Sequence, residues 1–331
     1  MPPRPVPGGR PSILTALTRI LVTGAGGQIG SELVPMLREA YGVDRVLATD
    51  IRSSGDPPLG PFQVLDATDA RAVGATAMRF GADVVYHLAA ILSAVGERDP
   101  RLAYQVNMNG LQAVLEVARE QRLAVFVPSS IAAFGPDTPR DPAPQDTIQR
   151  PTTMYGVTKV SGELLCDYYH LRYGVDARGV RYPGIISHGA PPGGGTTDWA
   201  VDIFYHAVRG EPYECFLAED AQLDMMYMPD AVRAAMDVME ADPERLVHRN
   251  AFNVTAMQLA PRDLAQAIRR RIPDFEVGYD VDPVRQAIAE SWPLRIDDSA
   301  AREEWDWSPE YDLDAMTDDM IENLRRKLGK P

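Results

Sequence analysis

The stretch Arg19–Gly42, RILVTGAGGQIGSELVPMLREAYG, decides the fold. It opens as a short apolar run ending on glycine, then repeats apolar residues at helical spacing and ends on a second glycine, so it reads as strand, turn and helix. Gly24, Gly27 and Gly30 fill the turn. A glycine-rich turn at that place lets backbone N–H groups, including those of Gln28 and Ile29, approach a diphosphate and aims a helix N-terminus at its charge. The same spacing also suits a tight turn that binds nothing. Asp50 weighs against that bland reading: it closes the next strand, RVLATD, where a carboxylate accepts the hydroxyls of an adenosine ribose. An acid there repels a 2′-phosphate and favours NAD over NADP, with Arg52 nearby pulling the other way.

Outward from this unit the pattern repeats. FQVLDATD is a third strand, ARAVGATAMRFG a helix, ADVVYHLAA a fourth and nearly continuous apolar strand, NGLQAVLEVAREQR a helix and AVFVPSS a fifth strand. MYGVTKVSGELLCDYYHLRYG is a long helix leading to the strand VDARGVRY. Strands alternating with helices define an α/β chain with a Rossmann-type, doubly wound parallel sheet over residues 19–181. Asp66, after the third strand, is placed to reach an adenine edge or else to cap the helix that follows.

Residues 1–18 are rich in proline, glycine and arginine and read as a flexible tail, not as a signal or transit segment. After Arg181 the texture changes to glycine- and proline-rich sequence with shorter elements. Residues 182–221 and 257–331 are expected to form a smaller, mostly helical substrate lobe packed by Trp292, Trp305 and Trp307. Residues 222–256, a strand and helix followed by NAFNVT, are expected to return to the large domain.

A formal charge of −14 and a pI near 4.8 argue against a nucleic-acid or anionic-membrane partner and for a small-molecule ligand. Two cysteines, Cys166 and Cys215, make no disulfide framework and suit a reducing, cytoplasmic compartment. No apolar run approaches membrane-spanning length. The five histidines, His87, His170, His188, His206 and His248, lack ligand spacing, and no metal is expected.

Only three of the 33 basic residues are lysine: Lys159, Lys327 and Lys330. Lys159 lies one helical turn after Tyr155, on the same face. A tyrosine is a poor base at neutral pH, and an ammonium beside it, with an oxidised nicotinamide, favours the phenolate. Lysine also offers a compact, rotatable donor to a nicotinamide ribose, which a planar guanidinium does not. The competing reading is a surface lysine on an amphipathic helix. Ser130, at the end of the fifth strand and hence outside the carboxyl edge of the sheet, can hold a substrate oxygen, and Ser129 competes for that role.

TGAGGQIG, HLAA, the paired serines before AFG, and YGVTK together resemble the extended short-chain dehydrogenase/reductase superfamily from about Arg19 to Arg181. The resemblance implies a catalytic set of Ser130, Tyr155 and Lys159, and an Asn107 that supports the lysine side. It also implies cofactor contacts from Leu88, Ala89, Ala90 and Tyr182, and a homodimer through the helices carrying Asn107–Arg119 and Tyr155. The superfamily includes nucleotide-sugar epimerases, whose Arg-x-x-Asn pattern reads here Arg181-Tyr182-Pro183-Gly184, without the asparagine.

ILSAVGERDP, PQDTIQRPTTMYGVTK, VRYPGIIS, PGGGTTDWAVDIFY and MMYMPDA are similar to the short-chain, epimerase-like L-threonine 3-dehydrogenases, with Trp199 standing where tyrosine is expected. That resemblance implies L-threonine as substrate, held by Ser93, Gly184, Thr196 and Thr197 beside Ser130 and Tyr155. On its residues alone, GGGTTD suits either a capped helix N-terminus receiving a carboxylate or an ordinary loop. Two rivals stand beside this expectation. One is a nucleotide-sugar 4-epimerase; the other is an NAD-sensing protein without turnover.

Overall fold

The computed structural model describes Leu14 and residues 18–53, 59–189 and 195–330. The expected flexible tail therefore lies, apart from Leu14 and Thr18, outside the described residues. The first half contains β1 (Ile20–Thr23), α1 (Gln28–Tyr41), β2 (Val46–Asp50), β3 (Phe62–Val64), α2 (Ala70–Phe80), β4 (Val84–His87), α3 (Ser93–Arg98), α4 (Pro100–Tyr104), α5 (Gly110–Gln121), β5 (Ala124–Phe126), β6 (Ser129–Ser130) and α6 (Met154–Tyr173). There follow β7 (Ala177–Arg178), β8 (Val180–Tyr182), β9 (Gly184–Ile186), α7 (Trp199–Arg209), β10 (Tyr213–Cys215), β11 (Leu223–Tyr227) and α8 (Met228–Glu240). The chain ends with β12 (Phe252–Asn253), β13 (Met257–Leu259), α9 (Pro261–Arg269), β14 (Val277–Tyr279), α10 (Pro283–Glu290), α11 (Ser299–Trp305) and α12 (Leu313–Leu328).

The central sheet runs β3-β2-β1-β4-β5-β7, every pair parallel. The apolar runs that predicted these strands are buried along their length: β1, β2 and β4 expose almost nothing, as helices on both faces require. Each valine, leucine or isoleucine so buried contributes about 1.5–3 kcal/mol. Past Pro128 and Gly179 the fifth and sixth strands resume as β6 and β8, which pair with each other, and β12 adds to β8 in parallel. Thr153 caps the long helix α6 by accepting from the Gly156 N–H at 3.1 Å, and Gly174 closes it in the left-handed region.

The later segments divide between two packing regions. Within residues 222–256, α8 packs on α1 and β12 joins β8, while β11 pairs with β9 and β13 in a separate three-stranded sheet. Trp292 lies in the apolar cluster built by α7, α9 and α12. Trp305 and Trp307 do not pack there, contrary to the sequence expectation. They sit with Ile20, Leu33 and Val232 in the core of the large sheet, because α11 crosses back to pack on β12.

Asp224, almost wholly buried in β11, joins the two regions. Its carboxylate accepts from Ile296 N at 2.6 Å and Thr255 Oγ1 at 2.8 Å. Burial pushes its pKa up to about 6, against the partial relief those two donors give. A carboxyl whose folded pKa is raised contributes stability in full below its unfolded value, near 4, and loses it as pH rises through 6. At pH 7.5 the charged form costs on the order of 2 kcal/mol. Asp224→Asn keeps an acceptor for Ile296 and a donor for Thr255, so urea unfolding is expected to find it more stable than the parent at pH 7.5. At pH 4 the two should be nearly equal. A difference independent of pH would contradict the assignment.

Candidate active site

The glycine turn sits at the carboxyl edge of the sheet, between β1 and α1. Gly24 has φ +71°, and a Cβ there would lie 2.5 Å from Ala89 N, while one on Gly30 would lie 2.6 Å from Gly24 O. Only glycine allows the turn to close on the end of β4 and the first turn of α1 to close on the turn. Gly27 precedes α1 with no side-chain cap and no acid in the first turn, so the N–H groups at Gln28 and Ile29 remain suited to an anion. The Asp50 carboxylate is pinned over the turn: Oδ2 accepts from Gly26 N at 3.0 Å and Oδ1 from Arg52 N at 3.1 Å. The Arg52 side chain is 82% exposed and 3.9 Å from that carboxylate. A bare turn would need neither the uncapped helix nor the buried acid, and together they fit a diphosphate and an adenosine ribose.

Asp66 is exposed, with Oδ1 accepting from Thr68 N and Thr68 Oγ1. It does not cap α2; Asp69 does, accepting from Ala72 N at 3.0 Å. Leu88 N donates to Thr23 O at 3.0 Å, which leads Leu88, Ala89 and Ala90 off the end of β4 beside the turn.

Beyond β4, Asn107 ties the segments together. It lies in a single π-helical turn, Gln105–Asn109, between α4 and α5, a distortion that often marks a functional position. Its amide accepts from Ile91 N at 2.7 Å, donates to Ile91 O at 3.1 Å and donates to Thr158 Oγ1 at 3.0 Å. Asn107 therefore reaches α6 through Thr158, not through Lys159 itself. Sequence reading passed over Thr158, whose only signal is a β-branched polar residue inside the YGVTK run.

On α6, Tyr155 and Lys159 lie one turn apart, with Lys159 Nζ 5.4 Å from the centre of the Tyr155 ring. Lys159 Nζ donates to Pro128 O at 2.7 Å, the carbonyl that precedes the two serines. The half-buried Tyr155 hydroxyl makes no hydrogen bond among the described residues. His87 stands near the ammonium, buried and bonded through Nδ1 to Thr23 Oγ1 at 2.9 Å. Burial first, and Lys159 second, lower its pKa to about 3, so it is neutral wherever an enzyme works and does not compete as a charge.

The two serines part company. Ser129 is buried and donates to Glu163, which also holds Arg181 in a two-pronged ion pair at 2.8 and 3.0 Å. Ser130 accepts from Ala132 N at 3.2 Å, and its hydroxyl proton has no acceptor among the described residues. The Tyr182 ring lies in the core and its hydroxyl donates to Ala231 O at 2.6 Å, so a cofactor contact at this position falls to its main chain.

The expected substrate residues converge only in part. Gly184 lies against Thr197, whose Cγ2 would be 2.7 Å from a Cβ on Gly184. Ser93 begins α3, which packs on α6, and Glu97 of α3 accepts from Met154 N at 2.6 Å. Of GGGTTD, Gly193 and Gly194 lie outside the described residues. Neither threonine nor aspartate caps α7: the Asp198 carboxylate turns back to Gly195 N at 2.7 Å. Thr196 is buried just before that turn.

A parallel sheet with an acid-closed glycine turn and a serine, tyrosine and lysine at its carboxyl edge defines an NAD-dependent oxidoreductase of the short-chain type. The chain belongs to the NAD dependent epimerase/dehydratase family, whose model matches residues 20–255. An uncharacterized epimerase/dehydratase of Staphylococcus saprophyticus is 52% identical over 94% of this chain and 98% of its own. Among solved structures, the L-threonine dehydrogenase of Clostridium difficile is 53% identical, with a TM-score of 0.92 over 94% of this chain and 98% of that one. The holo form of a GalE-like L-threonine dehydrogenase from Cupriavidus necator is 51% identical, with a TM-score of 0.90 over 92% and 99%.

Proposed function

We propose that this protein oxidises L-threonine to 2-amino-3-oxobutanoate with NAD. The observation that carries the reading is the pairing of a Tyr155 hydroxyl with the Lys159 ammonium one turn away, near Ser130, neither hydroxyl donating to a partner among the described residues. Bound NAD would supply a hydride acceptor; Gly24, Gly27 and Gly30 would give it room, the first turn of α1 would meet its diphosphate, and Asp50 would accept from its adenosine ribose. Ser130 donates to the substrate oxygen and orients it. Tyr155 takes the hydroxyl proton as general base, with the Lys159 ammonium one turn away on α6. Ser93, Gly184, Thr196 and Thr197 line the amino-acid side, with the cluster built by α7, α9 and α12 forming the substrate lobe. The apolar exposure of Leu164, Tyr168 and Leu171 on α6 supports a homodimer through that helix.

A nucleotide-sugar epimerase is disfavoured by Gly184, which stands where the Arg-x-x-Asn pattern carries its asparagine and, packed against Met225 and Thr197, has no side chain to offer a nucleotide diphosphate. The deciding assay is NADH absorbance on mixing protein, NAD and L-threonine, with UDP-glucose, UDP-galactose and NADP in parallel. NADH is expected with threonine and NAD alone. Sugar isomerisation without net NADH would sink the reading.

A further inference from the structure

Two of the three lysines end on main-chain carbonyls. Lys159 holds Pro128 O, and Lys327, on the last turn of α12, holds His188 O at 3.0 Å and Gly189 O at 2.9 Å. Its Nζ also lies 3.3 Å from Tyr205 Oη on α7. Three acceptors converge on one nitrogen, an arrangement that the three donors of an ammonium satisfy and a guanidinium, with its donors spread over a plane, does not.

The segment so held has a second anchor. Ser187 is fully buried and donates to Glu32 of α1, and Gly189 N donates back to Ser187 Oγ at 2.9 Å. The Gly189 backbone lies so close to the Glu32 carboxylate that a Cβ would come within 2.5 Å of Oε1. Ser187–Gly189 thus continues β9 from Gly184 and is clamped between the helix that begins at the glycine turn and the last helix of the chain.

We propose that Lys327 is a positioning residue for the substrate subsite: it fixes the Ser187–Gly189 segment, and through it the place of Gly184 and Thr197 relative to α1. It touches neither substrate nor cofactor. The consequence for kinetics rests on the threonine reading; the consequence for the segment itself does not.

Two measurements on Lys327→Met, beside Lys327→Arg, test it. In steady-state kinetics with saturating NAD, KM for L-threonine is expected to rise about tenfold in Lys327→Met, from the loss of charge-assisted hydrogen bonds. The kcat and the Kd for NAD should stay within about twofold, and Lys327→Arg should recover less than half of the loss on a logarithmic scale. In hydrogen exchange, amides of residues 184–189 and 195–201 should exchange faster, with β1 and β2 unchanged. If the parent protein makes no NADH from threonine, the functional reading fails and the exchange arm alone decides this inference. Exchange unchanged at 184–189, or kcat, KM and NAD affinity all worsening together with the melting temperature, would overturn it.

Discussion

Replacing Tyr155 by phenylalanine is expected to lower kcat for L-threonine about 10³-fold, with the Kd for NAD within about threefold of the parent. The substitution removes one oxygen that has no hydrogen bond to lose among the described residues, while the ring keeps its packing against the apolar cluster of α7 and α12. The folded state should therefore be unaltered, and a thermal melt should coincide with that of the parent. Turnover within tenfold of the parent would mean that another group takes the proton. His87, the nearest candidate by chemistry, is held neutral but committed to Thr23.

Replacing Lys159 by methionine should cost about 10²-fold or more in kcat, and it tests a different link. Two losses combine: the positive charge beside the Tyr155 ring, and the donor that fixes Pro128 O immediately ahead of Ser129 and Ser130. Lys159→Arg keeps the charge yet should remain at least tenfold impaired, because a guanidinium spreads its donors over a plane instead of converging them on one carbonyl. Full activity in Lys159→Arg would show that charge alone suffices, and would remove the geometric part of the argument.

The parallel sheet was legible because buried parallel strands are written as short apolar runs ended by glycine or acid, and helices as a second period between them. Gly24, Gly30 and Asp50 were legible for a related reason: a close backbone approach and a buried acid demand particular residue types. Tyr155 and Lys159 could be read from helical spacing and from the scarcity of lysine. What escaped the sequence was direction. Alternation puts Ser129 and Ser130 on opposite faces, but only Glu163 decides which of them is spent. Tyr182 has the right place in the chain, and its hydroxyl goes to Ala231 because the strand end turns that face into the core. The π-helical turn at Asn107 has no residue signature at all, and Trp305 and Trp307 pack on the large sheet because α11 crosses back over β12. Lys327 has no signature in the sequence either, since nothing in its neighbours announces the carbonyls of His188 and Gly189, distant in the chain.

The most direct test of the central claim uses L-threonine deuterated at the carbon that bears its hydroxyl. The account predicts slower turnover and reduced cofactor carrying one deuterium per molecule of product, with the rate of deuterated cofactor formation falling about 10³-fold in Tyr155→Phe. Reduced cofactor without deuterium, or deuterium washed out into solvent, would contradict it, because the hydride would then come from another carbon or pass through an exchangeable site.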